Sequence, residues 1–101
     1  TNHEPAEVLA AKGRAYVGLG FYSEAETAYA IAVRYEPESI DYRAKLAETT
    51  MLKGNYAETI AVLDDAQEGM ADDPTLQSIR QRATERLEEL ARIQTENGIL
   101  R

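Results

Sequence analysis

The sequence predicts an all-α fold: two helix-turn-helix hairpins in tandem, followed by one capping helix. Three observations carry that expectation. Apolar residues recur at three- and four-residue steps through segments punctuated by Gly20, Pro37, Gly54 and Pro74. Residues 6–39 and 40–73 align at a period of about 34, matching Ala10 with Ala44, Gly20 with Gly54, Tyr22 with Tyr56, Glu24 with Glu58 and Ala32 with Ala66. Residues 75–97 then run on without any Gly or Pro.

Each element follows from local chemistry. The first helix, about residues 5–19, stops at Gly20, because glycine adopts the left-handed turn conformation without steric cost. Tyr22 lies two residues on, where a ring wedges between the helices of a hairpin. The second helix, about 22–35, carries Ala25, Ala28 and Ala32 at three- and four-residue steps, a small-residue face that allows close approach. Pro37 ends this unit, and Ser39 offers an oxygen to cap the third helix, about 40–53. Gly54 repeats the first turn and leads into a fourth helix, about 56–69. Ser23 with Glu26, and Asn55 with Glu58, have capping-box spacing. Asp73 followed by Pro74 starts the last helix, about 74–96.

On that last helix Leu76, Ile79, Ala83, Leu87, Leu90, Ala91 and Gln94 form one stripe, opposite a charged face of mixed sign. A third full hairpin would need a turn near residues 91–93, and none is present. The helix is therefore expected to cap the array with its polar side outward; pairing in a coiled coil is the other use of such a stripe. The expected organisation is a tail at 1–4, units at 5–37 and 38–73, the capping helix at 74–97 and a tail at 98–101. Two hairpins and a cap are fewer than the three or so repeats that such arrays usually need. Further contacts are expected from a longer parent protein, consistent with a first residue Thr1 rather than Met, or from a second copy.

The recurrent residues resemble the tetratricopeptide repeat, whose pattern runs Trp/Leu, Leu, Gly/Ala, Tyr, Gly, Tyr, Ala, Phe/Tyr, Ala, Pro. The first unit fills those slots with Leu9, Lys12, Gly13, Tyr16, Gly20, Tyr22, Ala25, Tyr29, Ala32 and Pro37, departing at Lys12. The second fills them with Arg43, Leu46, Ala47, Thr50, Gly54, Tyr56, Thr59, Leu63 and Ala66, and its proline comes late, at Pro74. The resemblance covers residues 6–74. It implies a right-handed α-α superhelix whose first helices line a concave binding face. On that face fall Glu7, Ala10, Arg14 and Val17, then Asp41, Ala44, Lys45, Glu48 and Met51. Some members clamp a terminal carboxylate with Lys, Asn and Arg at these positions; here Arg14 and Lys45 have no Asn partners, so a mixed groove for a peptide or helix is expected instead. Tyr16, Tyr22, Tyr29 and Tyr56 occupy packing slots, whereas Tyr35 and Tyr42 flank the turn between units.

Composition excludes other classes. With 18 acids against 11 bases the chain has a net charge of −7, which opposes binding to nucleic acid or to anionic lipid. It has no cysteine, hence no disulfide, thiolate nucleophile or Cys-bound zinc. The single histidine, His3, sits in the N-terminal tail and offers no base or triad. Asp64–Asp65, Asp72–Asp73 and Glu88–Glu89 are sequence neighbours, which diverge by about 100° on a helix, and the order of acids in 64–73 is not that of a calcium loop. No glycine-rich phosphate loop follows Gly18 and Gly20. No catalytic, metal or cofactor site is expected. No signal peptide or transmembrane segment is visible, and the absence of cysteine suits cytoplasm or bacterial periplasm alike. The expected role is a protein-binding scaffold or adaptor. The alternatives are self-association, through the stripe residues Leu76, Ile79, Leu87 and Leu90 where they do not serve as cap core, and a chaperone-like groove for an exported client.

Overall fold

The computed structural model describes residues 4–99, all five elements of which are helical, with no strand among them. The helices are α1 (Ala6–Gly18), α2 (Tyr22–Tyr35), α3 (Ile40–Leu52), α4 (Tyr56–Asp64) and α5 (Pro74–Ile99). Residues 1–3 of the expected first tail, with His3, and residues 100–101 of the second lie outside the described residues. Each helix packs against its neighbour in the chain, and α5 also touches α3.

The two tight turns are built alike. In the first, Gly20 has φ +82, its N–H donates to Val17 O at 3.0 Å, and Phe21 N–H donates to Tyr16 O at 2.8 Å. In the second, Gly54 has φ +80, its N–H donates to Met51 O at 2.9 Å, and Asn55 N–H donates to Thr50 O at 3.0 Å. These paired bonds satisfy the last carbonyls of α1 and α3 while reversing the chain. The turns are so short that Phe21 and Asn55 already serve as N-caps, and neither makes a side-chain cap bond. The expected capping boxes are accordingly not formed: Ser23 lies inside α2, and Glu26 reaches Lys53 Nζ at 2.9 Å instead. Two other caps form as expected. Tyr42 N–H donates to Ser39 Oγ, and Leu76 N–H donates to Asp73 Oδ2, both at 3.1 Å.

Three apolar clusters follow one another along the helices. Ala6, Leu9 and Ala32 form the first, and Ala25, Tyr29, Val33 and Leu46 the second. Ala44, Ala47, Leu63, Met70, Leu76 and Ile79 form the third. A core strung out in this way accords with the elongated dimensions of 57 × 32 × 20 Å. Of the four tyrosines in packing slots only Tyr29 is buried; Tyr16, Tyr22 and Tyr56 are half-buried. Inside the first hairpin Tyr16 and Ala25 share a cluster. Their counterparts 34 residues on are Thr50 and Thr59, both buried, whose hydroxyls hydrogen-bond at 2.7 Å. A large-and-small pair in one hairpin has become a polar pair of equal size in the other.

α4 is shorter than the expected 56–69, ending at Asp64. Two interactions stop it. Arg43, only 3% exposed, donates from Nη1 to Val62 O at 3.0 Å and from Nη2 to Pro37 O at 3.4 Å, so a cation sits at the carbonyl end of the helix, where the helix dipole favours it. Met70 is buried in the third cluster, and five more helical residues would carry the chain about 7.5 Å away from that core. The chain instead folds back through turns, with Gly69 at φ +93 and Met70 N–H bonded to Gln67 O. α5 runs slightly longer than expected. Its core residues Leu76, Ile79 and Ala83 all fall within its first ten positions.

Candidate interaction face

α1, α3 and α5 present side chains around a recess of about 340 Å³ with Tyr29 of α2 among its lining residues. α1 supplies Arg14 and Val17, α3 supplies Lys45, Glu48, Thr49, Met51 and Leu52, and α5 supplies Arg82. Arg14 and Val17 lie three apart, as do Lys45 and Glu48, so each pair occupies one helix face. Thr49 is kept from competing with a guest by donating its hydroxyl to Lys45 O at 2.7 Å.

Charge in the recess differs from that of the chain. Three cations and one acid surround it, whereas the chain as a whole carries −7. Glu48 is engaged with Arg82 at 4.0 Å across α3 and α5, with both side chains about half exposed. Arg14 and Lys45 have no ion pair among the described residues and stand exposed. Burial raises the Tyr29 phenol above its ordinary value of 10.0 against the opposing pull of Arg14, with Asp41 and Glu48 adding to the rise. The phenol stands beside the cations Arg14 and Lys45 and an apolar wall of Val17, Met51 and Leu52. Such a surface can hold an apolar side chain flanked by acids.

Of the positions singled out from sequence, Arg14, Val17, Lys45, Glu48 and Met51 meet in this recess. Glu7 and Asp41 are exposed but do not line it. Ala10 packs against the second cluster and Ala44 lies in the third, so both serve packing rather than the open face. Arg82 and Tyr29 were not expected there. Arg82 stands on the charged side of α5, opposite the apolar stripe. No local spacing marks it, because its place follows from how α5 packs against α3 and α4. Along the stripe of α5, Leu76 and Ile79 are core, Leu87 is half-buried and Leu90 is 46% exposed. The first pair is therefore unavailable for association, because both side chains are already enclosed by α3 and α4.

Among the described residues no group of three or more His, Asp or Glu side chains is placed to hold a metal ion, and no helix is long and apolar enough to cross a membrane. The chain matches no family model, and no curated protein matches its sequence.

Proposed function

We propose that this chain is a non-catalytic protein-interaction module, a scaffold or adaptor that takes a peptide or helix of another protein into the recess between α1, α3 and α5. In this reading residues 5–37 and 38–73 are two tetratricopeptide-like repeats, α5 is the cap, and the helices stack as a right-handed superhelix. The equal construction of the turns at Gly20 and Gly54 supports the repeats. The observation that carries the function is the gathering of Arg14, Val17, Lys45 and Met51 from separate helices around one recess. The guest it suits carries an apolar side chain with carboxylates on either side. Contacts of this kind derive specificity from charge and affinity from the apolar anchor.

The test is panning of a displayed peptide library against the wild-type chain and against an Arg14→Glu/Lys45→Glu variant, with circular dichroism showing both folded. Peptides pairing an apolar residue with acids should be enriched on the first and lost on the second. Recovery of the same peptides by both proteins, or no enrichment on either, would show that the recess is not the binding site.

A further inference from the structure

A second concavity, of about 920 Å³, lies between α2 and α4. Ile31, Leu46 and Val62 give it an apolar lining, and Leu87 and Leu90 of α5 line it as well. We propose that this groove receives the C-terminal half of α5 from a second copy of the chain, in a two-fold symmetric dimer. The proposal is independent of what the recess between α1, α3 and α5 binds.

α5 supplies the donor. Beyond Ala83 its stripe continues as half-buried Leu87, then Leu90 and Ile93, 46% and 43% exposed. Residues 88–99 extend the helix by about 18 Å. The groove supplies the acceptor, and Leu87 and Leu90 belong to both. One continuous apolar surface therefore carries a projecting half and a hollow half on the same molecule, the self-complementarity that an isologous contact requires. A stable pair buries about 800 Å² on each partner; two-fold symmetry engages two tails and two grooves to reach it.

Charge sets the direction. Arg34 and Glu58 are exposed at the groove, Arg92 and Glu96 are exposed on the tail, and none of the four has an ion pair among the described residues. Two contacts fix the order of groups along the groove. Glu26 meets Lys53 near the α3–α4 turn, and Arg43 joins Pro37 to Val62 at the other end, so Glu58 lies near the first end and Arg34 near the second. A two-fold axis near Leu87 and Leu90 makes the α5 helices antiparallel, and the partner's tail enters from the α3–α4 turn. Its Arg92 then passes Glu58 before its Glu96 reaches Arg34, and the signs match at both places.

Sedimentation equilibrium of the 101-residue chain tests this. The expected result is a concentration-dependent species of twice the 11.2 kDa chain mass. Leu90→Glu/Ile93→Glu should weaken association by about 100-fold with unchanged helical circular dichroism, since both residues are already exposed. Arg34→Glu should weaken it less, and adding Glu96→Arg should recover much of the loss. A chain that stays monomeric up to millimolar concentration would overturn the proposal, including one that instead binds added amphipathic peptides. So would a dimer indifferent to Leu90→Glu/Ile93→Glu, or a charge swap that recovers nothing.

Discussion

The Tyr29 ring lies against the backbone of Gly13 so closely that a β-carbon there would come within 2.8–2.9 Å of three ring carbons. The aromatic residue of α2 thus takes the place of a side chain on α1. At the equivalent position of the second hairpin stands Ala47, and opposite it stands Leu63 in the same cluster. A narrower partner leaves room for the methyl group. Gly13→Ala should therefore destabilise by about 1–3 kcal/mol, as overpacking does, although alanine favours a helix by about 1 kcal/mol over glycine. In a Tyr29→Leu background the same change should be neutral or stabilising. Gly18, with open space around its missing β-carbon, is the control, and Gly18→Ala should gain up to about 1 kcal/mol. Urea unfolding of the four variants measures the difference, and an equal effect of Gly13→Ala in both backgrounds would refute the account.

The buried Thr50 and Thr59 pair makes a second expectation. Either hydroxyl can donate to the other, because Thr50 Oγ1 also lies 2.7 Å from Ala47 O and Thr59 Oγ1 3.1 Å from Asn55 O. Replacing one threonine by valine leaves the other with one fewer partner in a dry site, at a cost of about 1–2 kcal/mol. Replacing both removes the demand together with the supply, so Thr50→Val/Thr59→Val should cost clearly less than the sum of the single changes. A double-mutant cycle in denaturant reads this coupling. Strict additivity would mean that the hydroxyls do not depend on each other.

Arg43 is an arginine in a core slot, with Nε left without a hydrogen bond and two carbonyls satisfied by the rest of the guanidinium. Its counterpart in the first hairpin is Leu9, buried among alanines. Arg43→Ala should cost about 2–4 kcal/mol through lost packing and unmet carbonyls. Arg43→Leu should cost less than half of that, because it refills the volume and removes the orphaned Nε. Asp65 lies 3.8 Å from Nη1 but is 88% exposed, so Asp65→Asn should shift stability by no more than about 0.5 kcal/mol. Denaturant midpoints rank the three, and an Asp65→Asn as costly as Arg43→Ala would make the ion pair, not the carbonyl bonds, the anchor.

The same residues show how far sequence carries. Gly20, Gly54, Ser39 and Asp73 act through bonds to residues within a few positions, so their roles are legible from local spacing. Arg14, Val17, Lys45, Glu48 and Met51 are assigned to one face by the resemblance to the tetratricopeptide pattern, at positions that follow the helical periodicity. Glu7 and Asp41 share that periodicity but lie near the N-terminal ends of their helices, short of the recess. Arg82 depends on how α5 docks, and the end of α4 depends on Arg43 and Met70 converging from distant positions. None of this is encoded in local pattern, and Arg43, which fills a repeat slot in the sequence, helps to halt the helix.

Alkaline pH tests the packing of Tyr29 directly. Burial holds its phenol above the ordinary value of 10.0, and Tyr42 is shifted the same way by the same cause. Between the unfolded and the folded values the unfolded chain has lost protons that the native chain keeps. Fewer bound protons in the unfolded state make the slope of stability with pH negative, so stability should be flat below about pH 9 and fall as pH rises through about 10 toward the folded values. Lys12, raised chiefly by its hydrogen bond to Glu4, adds a decline of the same sign at higher pH, as that contact disappears through the folded lysine value. Tyr29→Phe keeps the ring over Gly13 and removes the ionising group, so urea midpoints of that variant should decline less steeply between about pH 9 and 11. An undiminished decline would mean that the Tyr29 hydroxyl ionises in the folded chain as easily as in water, which a ring packed between α1 and α3 does not permit.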